Sequence, residues 1–203
     1  MREPMPDPIG QHLGRVTRSP RPIVPLPALG HDDLRGRRVV VGLPGLGWRH
    51  DLRADEKVVQ GSRTYVPIMP EHEWYRAELE QIEVFAPLVP ADRVWVERLA
   101  TEVDDSADFQ QGANQASVVA TLDAPPRRVP VPVVKSLRAT GSRLIQLVDG
   151  VERRDLRALT EHYTSTEGDT RIRVTTELEW YRWTWTGQPP KTIEVPVRIL
   201  WLE

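Results

Sequence analysis

Trp180, Tyr181, Trp183 and Trp185 crowd one short stretch near the end of this chain, and Trp201 follows. Arg171, Arg173 and Arg182 stand close by in sequence. Flat π faces flanked by guanidinium groups suit three tasks: stacking nucleic-acid bases, caging a cation, or anchoring a protein partner. Trp180 and Trp201 have counterparts in Trp74 and Trp95, as set out below, so they are expected to fill a core or an interface between repeated units. Trp183 and Trp185 face Ala77 and Leu79 in the same comparison. A bulky residue present in one copy only points to a surface rather than a duplicated core. The binding site is therefore expected at Trp183, Trp185, Tyr181, Arg171, Arg173 and Arg182.

Other reactive residue types support no catalytic set. Asp51 and Asp155 are repeat-related, and a pseudo-twofold axis would bring such carboxylates together as a shared-proton dyad requires. Each sits in Asp-Leu-Arg, however, without the small residues that expose a dyad, so ordinary Asp–Arg pairing or turn capping is expected. The five histidines are His12, His31, His50, His72 and His162, and none falls in a metal-ligand spacing. On a strand, His72 would point away from Glu71 and Glu73, and Leu178 holds its place in the other copy. A partly buried, hydrogen-bonded histidine is expected there. The glycines of Gly42–Gly47 lack the Gly-Lys-Ser/Thr of a phosphate loop and read as a turn. Ser136 and Ser142 have no Gly-x-Ser-x-Gly setting. There is no cysteine, hence no disulfide and no thiolate chemistry. Neither a metal nor a cofactor is expected.

The elements that position these residues come in two copies. Glu71-His72-Glu73-Trp74-Tyr75-Arg76 recurs as Glu177-Leu178-Glu179-Trp180-Tyr181-Arg182 at an offset of 106 residues. At the same offset Thr64 meets Thr170, Pro90 meets Pro196, Trp95 meets Trp201 and Glu97 meets Glu203. Upstream the offset slips by about two, and Asp51-Leu52-Arg53-Ala54 meets Asp155-Leu156-Arg157-Ala158. Val24-Pro25-Leu26-Pro27 likewise meets Val129-Pro130-Val131-Pro132. The chain divides into an extended arm (1–17), a first β module (18–99), an acidic connector (100–123) and a second β module (124–203).

Within each module the patterning predicts strands. Arg37–Leu43 and Arg143–Val148 are short apolar strands, and Asp149-Gly150 is a hairpin turn. Ile23–Leu29 alternates apolar residues with prolines, as an edge strand does. In module two, Ile172, Val174, Leu178 and Trp180 share one face while Arg171, Arg173, Glu177, Glu179 and Tyr181 share the other. That period of two predicts a strand carried through the repeated hexamer, with the region after Arg76 open between strand and helix. Arg93–Leu99 and Val195–Leu202 close the two modules. Ala116–Leu122 suggests an added strand in the connector. The expected fold is mainly β: a tandem duplication of a small barrel- or sandwich-like module of about four to five strands. Eighty residues bury a modest core, so the copies are expected to pack as a pseudo-symmetric pair.

The 203-residue chain carries a net charge of −2, which weighs against a general nucleic-acid or membrane binder. No apolar run is long enough to span a bilayer, and the proline-bearing N-terminus lacks the apolar core of a signal peptide. A cytoplasmic location is the expectation. The expected function is non-enzymatic binding or assembly through protein–protein contacts, within a larger complex or by self-assembly. Nucleic-acid binding through the Arg and Trp residues of module two is the alternative, and an enzyme with a site between the modules is the third reading.

Overall fold

The structure, a computed structural model, describes residues 19–101, 124–136 and 138–203. The expected arm (1–17) and most of the connector, including Ala116–Leu122, lie outside the described residues. Two similar curled antiparallel sheets make up the molecule. The first contains β1 (Ile23–Pro27), β2 (Arg38–Leu43), β3 (Gly47–Ala54), β4 (Val58–Gln60), β5 (Arg63–Pro70), β6 (Leu88–Pro90) and β7 (Val94–Leu99). Its strand order is β1-β7-β2-β3-β5-β4, with β6 also on β5. The second contains β8 (Val131–Pro132), β9 (Arg143–Val148), β10 (Val151–Ala158), β11 (Tyr163–Thr164), β12 (Thr170–Thr176), β13 (Ile193–Pro196) and β14 (Leu200–Leu202). Its order, β8-β14-β9-β10-β12-β11 with β13 on β12, repeats the first strand for strand. Seven strands per sheet exceed the expected four to five, because several are only two or three residues long.

The duplication extends to register. Leu52, Arg53 and Ala54 pair with Pro70, Met69 and Ile68. Leu156, Arg157 and Ala158 pair with Thr176, Thr175 and Val174. A bulge interrupts β3 between Arg49 and Leu52 and β10 between Arg153 and Leu156. A 3-10 turn precedes the last strand in both copies, at Ala91–Arg93 and at Val197–Ile199. Trp95 and Trp201 each stand second in the strand that follows. Each sheet wraps its own core. Leu52, Val66 and Ile68 are buried in the first, and their counterparts Leu156, Ile172 and Val174 in the second. The predicted turns form as expected: Gly42–Gly47 joins β2 to β3, and Asp149 and Gly150, at φ 50 and 81, join β9 to β10.

The repeated hexamer corrects the strand reading. It opens a helix in both copies, α1 (Glu71–Glu80) and α2 (Glu177–Thr186). β12 ends at Thr176, whose hydroxyl accepts the backbone N–H of Glu179 at 3.3 Å. Thr-x-x-Glu is the capping-box spacing, and it was legible in the sequence. Pro70 occupies the same N-cap position before α1, where its missing N–H costs nothing. Gln81 and Gly187 close the helices with left-handed backbone, φ 54 and 69. Helical geometry reverses the expected faces. Tyr181 is buried and Leu178 is exposed, while Trp180 is half-buried. His72, expected to be partly buried, is exposed on α1.

Candidate functional site

The helices place one buried glutamate from each module at the junction of the two sheets. Glu71 and Glu177 are the first residues of α1 and α2, and their side chains are 1% and 2% exposed. A carboxylate in the first helical turn also meets the positive end of the helix dipole. Four arginines surround the pair: Arg38 and Arg53 from neighbouring positions on β2 and β3, Arg143 and Arg157 from the same positions on β9 and β10. Arg143 Nε donates to Glu177 at 2.8 Å, and its Nη2 donates to Glu71 of the other module. Arg38 Nη2 donates to Glu177 at 2.6 Å, and its Nη1 donates to Glu203 at 2.9 Å. Arg53 Nε lies 3.0 Å from Glu71, although off the line of a good hydrogen bond.

Tyrosines complete the network one turn along each helix. Tyr75 hydroxyl donates to Glu177 at 3.2 Å, and Tyr181 hydroxyl donates to Glu71 at 2.8 Å. Arg53 Nη2 donates to Tyr75 at 3.0 Å and its Nη1 to the Gly36 carbonyl at 2.8 Å. Arg157 repeats both contacts with Tyr181 and Gly141 at 2.7 and 3.0 Å. The two-fold logic is thus kept at the level of single atoms. Four guanidinium groups meet four carboxylates, those of Glu71, Glu177, Glu203 and Asp51.

Electrostatics follow from this closure. Burial pushes the Glu177 carboxyl up, but Arg38, Arg143 and Arg157 outweigh it and hold the group below its ordinary value. Burial pulls Arg143 down, and Glu71, Glu177 and Asp51 more than reverse this. Burial, reinforced by Glu71, drives the Tyr181 phenol well above its ordinary value. These groups stay in fixed charge states across neutral pH. Together they form an electrostatic clasp between the modules.

The sequence-predicted site residues divide between two places. Tyr181 belongs to the buried clasp. Trp183 lies on the outward side of α2, 39% exposed, with its ring edge-on to Trp180 at 5.8 Å between centroids. Trp185 is half-buried on the same helix. Arg182 pairs with Glu179 at 2.7 Å within α2. Arg171 and Arg173 lie on β12, where Arg171 pairs with Glu167 at 2.9 Å and Arg173 with Glu194 at 3.2 Å. Arg173 also stacks over Tyr163.

Asp51 and Asp155 follow the expected Asp–Arg pairing: Asp51 reaches Arg143 at 2.8 Å, and Asp155 holds Arg153 at 2.7 Å. The clasp was not foreseen. Its signal was the spacing Glu71–Tyr75 and Glu177–Tyr181, i and i+4, which puts acid and phenol on one helical face. Among the described residues no group of three or more His, Asp or Glu is placed to hold a metal ion. No helix among them is long and apolar enough to cross a membrane. Compared with family models, curated proteins and solved structures, the chain matches none.

Proposed function

We propose that this chain is a non-enzymatic binding or assembly protein that works through protein–protein contacts. One observation carries the reading: Trp183, exposed on α2, together with Trp185, occupies positions where the other copy has Ala77 and Leu79. The shared parts of the repeat build the two cores and the clasp, and this aromatic pair is an addition of module two. Exposed tryptophan beside arginine is a common composition for an interface hot spot.

Two details sharpen the reading. In β1, Ile23 exchanges both backbone hydrogen bonds with Arg128, which covers the side of the strand away from β7 at that point, and Pro25 and Pro27 turn to the same side. Neither proline can donate an N–H, so this edge resists β-augmentation and the helix face is the better docking surface. Arg171, Arg182 and Arg173 are already paired with Glu167, Glu179 and Glu194, which weighs against the nucleic-acid alternative at these residues.

The test is affinity capture with wild-type protein and the double variant Trp183→Ala, Trp185→Ala. The reading requires a protein retained by the wild type and lost by a variant of equal melting temperature. Binding to DNA or RNA that weakens steeply with salt would favour the alternative instead.

A further inference from the structure

Module one carries an apolar surface of its own. Leu79, Ile82, Phe85 and Leu88 are 46%, 42%, 86% and 41% exposed. Leu79 lies in the last turn of α1. Left-handed Gln81 then turns the chain, and Ile82 N–H donates to the Ala77 carbonyl at 3.2 Å, which folds Ile82 back over the end of the helix. Phe85 follows in the loop to β6, and Leu88 opens that strand. At the offset of 106 residues, module two has Trp185, Gln188, Lys191 and Glu194 in these places. Three of those four are polar, so the module fold does not need apolar side chains there. A phenylalanine left this exposed marks a contact surface.

Each module thus has an apolar addition: Ile82 and Phe85 after α1, Trp183 and Trp185 on α2. The charges beside the two additions are opposite. Arg76 pairs with Glu80 at 2.9 Å, which leaves Glu78 and Glu83 exposed and without an ion pair among the described residues. In module two, Glu179 and Glu194 are matched by Arg182 and Arg173. Lys191 is left, exposed and likewise without an ion pair among the described residues. Two copies meeting through module one alone would set Glu78 and Glu83 against their own equivalents, like charge against like. Module one against module two sets them against Lys191.

We propose that the partner docking at Trp183 and Trp185 is a second copy of this chain, which presents Ile82 and Phe85 to the tryptophans and Glu78 and Glu83 to Lys191. The proposal rests on the reading of Trp183 and Trp185 as a partner-binding surface. Indole rings supply wide, rigid apolar area, and Phe85 is the outward side chain that such a surface takes up.

The experiment is sedimentation velocity on the full chain at concentrations rising to about 100 μM, where a contact of micromolar Kd is populated. The wild type should pass from monomer to dimer or larger species. Phe85→Ser should weaken association about tenfold or more, as loss of a hot-spot aromatic does, without shifting the melting temperature. Trp183→Ala with Trp185→Ala should do the same. An equimolar mixture of these two variants should associate again, because each supplies the surface that the other lacks. A wild type that stays monomeric overturns the proposal. So does association unaffected by Phe85→Ser, or a mixture that fails to associate. A monomeric wild type that still captures another protein through Trp183 and Trp185 keeps the docking reading and removes the second copy as its occupant.

Discussion

Tyr75 and Tyr181 stack on each other across the module boundary, ring centroids 5.2 Å apart and planes 23° from parallel. Each hydroxyl donates to the glutamate of the opposite module. The pair is therefore both an apolar contact and a crossed hydrogen-bond lock, and α1 and α2 meet through it.

Breaking the clasp should cost more than removing a half-buried tryptophan. Glu177→Ala removes one of the carboxylates that Arg38 and Arg143 share in a buried site, and loss of one partner of a buried ion pair costs about 3–5 kcal/mol. Tyr181→Ala should fall in the range of about 3–5 kcal/mol given for a core aromatic. Trp180→Ala should cost less, because Trp180 is half-buried. Chemical denaturation of the three variants checks the order.

Acid should open the clasp. The folded-state pKa of Glu177 lies below its ordinary value of 4.5, so its contribution is present above that pH and is lost as pH falls below it. Glu97 adds to the same slope: burial raises its pKa, but His50 and Arg128 bring it below the ordinary value. The melting temperature of the wild type should drop steeply below about pH 4.5. Glu177→Gln should start lower and fall less steeply. At the other extreme, Tyr181 is raised above 10.0, so its contribution is lost as pH climbs past that value, and Tyr181→Phe should remove this alkaline loss.

The edge prolines should prevent self-association through β1. Replacing Pro25 and Pro27 with threonine restores two outward N–H groups on β1. Sedimentation at rising concentration should then show more association than the wild type does.

The outward tryptophan should be dispensable for folding. Trp183→Ala should change stability by no more than about 0.5–1 kcal/mol, as for an exposed position. Thermal melts of Trp183→Ala beside Tyr181→Ala give the comparison. A loss as large as that of Tyr181→Ala would place Trp183 among the packing residues.

The duplication was legible in the sequence because rare residues repeat in one order: Trp74 with Trp180, Trp95 with Trp201, Pro90 with Pro196. The mainly β class followed from period-two runs such as Ile172 and Val174. The edge character of β1 followed from Pro25 and Pro27, which cannot donate to a ladder. Tertiary structure alone decided the face of the hexamer. Ile172, Val174 and Thr176 set a strand rhythm that Glu177 breaks, and Thr-x-x-Glu is a short signal beside that run. It also decided why two glutamates could be buried at all. A carboxylate is tolerated in a dry junction only when cations converge on it, and the arginines that do so come from four strands of two modules. No local pattern records that convergence. Asp51 and Asp155 make the point most sharply: they share one motif and one bulge, yet backbone rotation sends one into the clasp and leaves the other on Arg153.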